Sequence, residues 1–133
     1  MAGRTRPCPP HVRKGRLGKA EQFWLAASAI REQLDDEDVG DAFVTLCIHA
    51  GVAAADVVCC GALREHAQGE AHAEAVALLR RADSALGDDL AALLAMKTRS
   101  GYSHVFSGAA AIKKAERAAN RLMTAARRVS PRP

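Results

Sequence analysis

Aromatic side chains are scarce: one Trp, one Tyr and three Phe make up 4% of the 133 residues. With so little β-forming bulk set against 29 alanines, a β-sandwich or barrel is excluded and close-packed helices are expected, an all-α class. Long uncharged stretches are missing too. No apolar run comes near the roughly 20 residues that a membrane-crossing helix needs. The first residues carry bases and prolines in place of the apolar block of a secretion signal. The expectation is a soluble, cytoplasmic protein with no membrane contact. Cysteine is sparse and unpatterned. Cys8, Cys47, Cys59 and Cys60 show no C-x-x-C pair and no zinc-knuckle spacing, and the adjacent Cys59 and Cys60 would make a strained disulfide. Reduced thiols are therefore expected, with no cofactor and no metal. A zinc site built from Cys59 or Cys60 with His66 and His72 finds no support in the spacing over buried thiols.

What is present suffices for one core. At 133 residues, 49% of them hydrophobic, the chain makes a single domain and is too short for two that fold independently. Its net charge of +4 hides an asymmetry. Residues 1–19 hold six bases and no acid, and residues 113–133 hold seven bases against the single Glu116. Between them, six bases and fourteen acids leave the middle at −8. Such basic ends suit a polyanion, most commonly nucleic acid, although solvated tails carry the same charge.

Residues 1–16 contain three prolines and two glycines with almost no apolar content, which predicts a flexible basic arm ahead of a single helical domain over 17–133. Ala20, Phe23, Ala27, Ile30 and Leu34 recur in steps of three and four, predicting a first helix over 17–34. The acidic run from Asp35 to Asp38 offers N-caps for a second, over 39–63. This helix is apolar nearly all round and belongs at the centre. A third over 70–81 and a fourth over 89–98 are expected either side of a break at Gly87 and Asp88, with Leu90, Leu93, Leu94 and Lys97 on the inner face of the fourth. The segment 99–108 reads as a turn whose Ser107 could cap the last helix, 109–129. There Ile112, Ala115, Ala119, Leu122, Ala126 and Val129 form the seam, and Lys113, Lys114, Arg117 and Arg121 form a basic outer surface.

Two polar features do not follow from packing. On the central helix, Thr45, His49 and Asp56 lie four and seven residues apart and share one face. A carboxylate in a core needs a cation or several donors, and Lys97 is the natural candidate for Asp56, with Arg99 the other. His49 reads as a satisfied core histidine. The second feature is the exit of the fourth helix, running from Met96 through Lys97, Arg99, Ser100 and Tyr102 to His104 and Phe106.

Taken with the order of helices, four stretches carry a family resemblance. These are IHAGVAAADVVCCG (48–61), His72 followed by Ala75 and Leu78-Leu79, Leu93-Leu94 leading to Lys97-x4-Tyr102, and AIKKAERAANRL (111–122). Over residues 20–129 the chain resembles HEPN domains (higher eukaryotes and prokaryotes nucleotide-binding) of the bacterial kind related to toxin-antitoxin and abortive-infection systems. The resemblance implies a four- to five-helix up-and-down bundle that forms a homodimer. It also implies either a ribonuclease or a non-catalytic partner binding RNA or a nucleotide beside a cognate toxin or nucleotidyltransferase-like protein. Nuclease members carry Arg, four to six residues, then His, a spacing that Arg99 and His104 satisfy, with Arg steadying phosphate charge and His moving protons. The residue after that Arg is usually Asn, Asp or His, and here it is Ser100. The competing Lys97-x4-Tyr102 register puts Arg99 and His104 out of phase. The non-catalytic domain is therefore the expected function, with Asp56, His72, Lys97 and Tyr102 converging as its ligand site. A metal-independent ribonuclease using Arg99 and His104 is the alternative, and a purely structural module the third reading.

Overall fold

Proline and glycine decide where the first helix starts. The computed structural model describes residues 4–33, 35–68 and 72–129. Helix α1 spans Pro10–Gln33, seven residues earlier than the apolar seam alone predicts. Pro10 takes the first helical position, where a missing N–H costs nothing, and the Pro9 carbonyl accepts from the amides of Val12 and Arg13 at 3.0 and 3.3 Å. The free arm expected over 1–16 is corrected accordingly. Its described part forms a strand, β1 (Thr5–Pro7), and the first two turns of α1. Leu34, the loop at Gly69, the helix start at Glu70 and the ends 1–3 and 130–133 lie outside the described residues.

Helix α2, Asp36–Leu63, is the axis of the molecule. Its window over Glu37–Leu63 is long and apolar enough to cross a membrane, contrary to the count of uncharged residues, but 72% of that window is buried against neighbouring helices. The apolarity serves the core. Asp35 precedes α2 in extended conformation, and its backbone carbonyl accepts from Asp38 and Val39 while its side chain makes no cap. At the other end Arg64 adopts a left-handed conformation, φ 60°, with its N–H on the Cys60 carbonyl. That turn sends the chain into β2, Glu65–Ala67, which pairs antiparallel with β1 in the register Thr5 to Ala67, Arg6 to His66 and Pro7 to Glu65.

The short elements follow: α3 (His72–Ala82), α4 (Ser84–Ala95), α5 (Lys97–Gly101) and α6 (Ala109–Val129). The break between α3 and α4 falls at Asp83, whose carboxylate accepts from the Leu86 amide at 3.1 Å. Gly87, expected as the break, sits inside α4. A Cβ there would lie 3.2 Å from the Arg80 Cα, so the glycine lets α4 press on α3. Asp83→Ala should cost about 1 kcal/mol, the usual value of an N-cap, read as a lowered urea midpoint with unchanged slope. An unchanged midpoint would show the cap to be dispensable.

Glycines also set how α6 meets α2. A Cβ on Gly40 would come within 2.8 Å of Ile112, one on Gly51 within 3.3 Å of Leu122, and one on Gly61 within 2.8 Å of Val129. The pairs advance together along both helices, so α6 runs parallel to α2. Helix α1 runs the other way, from Arg16 beside Asp56 to Arg31 over the Phe43 ring. The all-α class therefore stands. Phe43, Leu79, Leu90, Leu93, Ile112, Leu122 and Met123 are the largest fully buried side chains. Lys113, Lys114, Arg117 and Arg121 face outward along α6, around a shallow depression of about 460 Å³. Arg121 is tied to Asp89 by two hydrogen bonds of 2.7 and 2.9 Å. Ser107 does not cap α6 through its hydroxyl, which is buried without a partner, whereas its amide donates to Asp41 at 3.1 Å.

The thiols also differ from expectation. Cys8 and Cys60 form a disulfide, with Cα atoms 5.3 Å apart. Cys47 and Cys59 stay free and buried, and burial pushes both thiols up to about 12. The spacing of the cysteines carries no sign of this link because the ribbon, not the sequence interval, brings Cys8 to the end of α2. Among the described residues no three His, Cys, Asp or Glu side chains gather as a metal site.

Candidate functional site

The polar stripe on α2 opens onto a groove. Thr45, Ile48, His49 and Val52 form its α2 wall, and His72 at the start of α3 faces them. Lys97, Ser100 and Gly101 of α5 and the following Tyr102 close a cavity of about 450 Å³, a size that suits a small organic ligand. Among the described residues no carboxylate lines this half. Val52 and His72 also line an adjoining cavity of about 270 Å³, completed by Arg16, Asp56, His66, Ala67 and Ala75. The two halves meet at His72.

Lys97 Nζ lies 3.2 Å from His72 Nε2. An ammonium has only donors, so Lys97 donates and neutral His72 accepts, and no acid among the described residues pairs with the Lys97 charge. Ser100 donates to the Lys97 carbonyl at 3.3 Å, holding the short α5 turn that carries the lysine. Tyr102 is 78% exposed and forms the rim. In the other half, Arg16 Nε donates to Asp56 Oδ2 at 2.8 Å. Burial pushes the Asp56 carboxyl above its ordinary value, and the charges of Arg16 and His66 pull against that shift.

The structure thus places His72, Lys97 and Tyr102 on one cavity and Asp56 on the next, joined through His72. Two expectations are corrected. Asp56 pairs with Arg16, while Lys97 pairs with His72, because α1 starts early enough to carry Arg16 alongside α2. His49 is exposed instead of buried, stacked on Phe23 of α1 with ring centroids 5.1 Å apart. Arg99 and His104 are both exposed and line neither cavity. Arg16 and His66 are the groove residues that sequence reasoning did not include. Arg16 stands four residues before Ala20 and so extends the α1 seam, a signal that was there to be read. Searches against family models, characterised proteins and solved structures returned no match for the chain.

Proposed function

We propose that this chain is a non-catalytic, HEPN-like helical domain that binds an anionic ligand in the groove on α2, a nucleotide or a phosphate of RNA, within a toxin-antitoxin or defence-type system. The observation that carries this reading is Lys97. It is held by His72 in a cavity of about 450 Å³ lined by no acid among the described residues. A cation placed in a partly enclosed cavity interacts with an anion more strongly than one in open water does. The Thr45 hydroxyl adds a donor, and Tyr102 at the rim offers a ring face on which a base can stack.

The ribonuclease alternative depends on Arg99 and His104. Hydrolysis needs both groups held in fixed geometry, and here both stand in solvent outside the groove. Titration calorimetry with adenosine monophosphate and with a short single-stranded RNA tests the two readings. Lys97→Met should weaken binding at least tenfold and leave the thermal midpoint within about 2 °C, since the lysine is partly exposed and its partner is neutral. Arg99→Ala and His104→Ala should bind as the parent does. Binding that survives Lys97→Met sinks the groove reading, and RNA cleavage lost in either of the other two variants promotes the ribonuclease.

A further inference from the structure

Strand β1 has little to hold it. Thr5, Arg6 and Pro7 are all exposed, and a two-stranded ribbon of three residues a side is marginal in water without further support. Among the described residues its remaining ties are the Cys8 amide on the Arg64 carbonyl, the Gln68 amide on the Arg4 carbonyl, and the Arg4 amide on Glu74, at 3.0, 3.0 and 3.2 Å. The covalent anchor is the bond from Cys8 to Cys60, in the last buried turn of α2. The elements flanking that bond build one half of the groove. Its partner strand β2 supplies His66 and Ala67, and the α1 turns that follow Cys8 supply Arg16 to Asp56.

We propose that the Cys8–Cys60 disulfide is a redox clasp on the groove: reduction by a dithiol frees β1 and the first turns of α1 and so loosens the Arg16–Asp56–His66 end. That binding is what the clasp regulates rests on the function proposed above. The chemistry is thiol–disulfide exchange. A thiolate of the reductant attacks the sulfur of Cys8, the more exposed residue of the pair, because Cys60 is only 4% exposed. A mixed disulfide forms on Cys8 and Cys60 leaves as a thiolate that takes up a proton. The second thiol of the reductant then attacks its own sulfur in the mixed disulfide, and Cys8 leaves and is protonated. Two electrons and two protons pass from the dithiol to the cysteine pair. Neither remaining thiol intercepts these steps, since Cys47 and Cys59 are buried and stay protonated. Release has a defined extent. Leu17 and Ala20 are buried in the core, so α1 stays docked from there onward.

The test compares the oxidised protein, the dithiothreitol-reduced protein and Cys8→Ser, each by limited trypsin digestion and by calorimetry with adenosine monophosphate. The reduced protein and Cys8→Ser should be cut after Arg13, Lys14 or Arg16 at least tenfold faster than the oxidised protein, leaving the remainder of the chain intact. Both should bind the nucleotide at least fivefold more weakly. Equal cleavage rates overturn the clasp whatever binding does, and so does cleavage spread along the whole chain, which would mean global unfolding. Faster local cleavage with unchanged affinity overturns the regulation. Faster local cleavage with no nucleotide bound in either redox state overturns the proposed groove function and upholds the release of the segment.

Discussion

Reducing the Cys8–Cys60 disulfide should lower the stability of the whole fold by about 4 kcal/mol. The bond joins residues 52 apart in sequence, and the loop-closure entropy it removes from the unfolded chain amounts to about 4 kcal/mol at 25 °C. For a chain of this size the thermal midpoint should fall on the order of 15 °C, at a few degrees per kcal/mol. Urea denaturation with and without reductant measures the change directly. Cys8→Ser should match the reduced protein and show no further response to reductant, which separates this bond from effects on Cys47 and Cys59. A midpoint shift of under about 3 °C would mean that the unfolded chain gains little freedom when the loop opens.

That bond was hidden from sequence reading for a physical reason. A link between distant cysteines depends on where the chain turns, and the deciding turn at Arg64 places a left-handed conformation on a residue with no propensity for it. The two strands of the ribbon, β1 and β2, are three residues long, too short for alternation to register. Long, strongly patterned pieces were legible instead. Helix α6 begins and ends where its seam of Ile112, Ala115, Ala119, Leu122, Ala126 and Val129 predicts, with its bases on the outside. Composition misled at the N-terminus, where prolines suggested an arm although Pro10 suits the first position of a helix. The same misreading hid Arg16, and with it the partner of Asp56.

The groove shows the same division. Spacing of four and seven residues brought Thr45, His49 and Asp56 to one face, and the structure puts that face against His72 and Lys97. Pairings across helices were not legible, because they depend on the relative height of α1 and α2. Sliding α1 by one turn would bring a different side chain to Asp56. Gly87 teaches a similar lesson, since a glycine between two polar runs reads as a break and in fact admits the Arg80 backbone.

Arg16→Ala should then destabilise the protein by about 3 kcal/mol at pH 7, because it leaves a mostly buried carboxylate without its cation. The Asp56 side chain is 15% exposed and Arg16 31%, so the pair is screened only in part. The dependence on pH distinguishes this cause from lost packing. Burial already holds the Asp56 carboxyl above its ordinary value, so the folded protein keeps its proton to higher pH than the unfolded chain does. Such a group favours folding more as pH falls through the folded value, and that contribution is lost as pH rises. Removing Arg16 takes away a charge that opposes the shift, so the folded value rises further and the window widens. The deficit of Arg16→Ala should therefore be greatest near neutrality and shrink on acidification toward pH 4.5. His66 remains to supply some positive charge on the same carboxylate. At pH 7 the double variant Arg16→Ala/Asp56→Asn should be more stable than Arg16→Ala alone, since the amide carries no charge to desolvate. Urea denaturation of the three proteins at pH 7 and pH 4.5 checks both statements. A deficit equal at the two pH values would assign the loss to the packing of the Arg16 side chain instead of to the charge on Asp56.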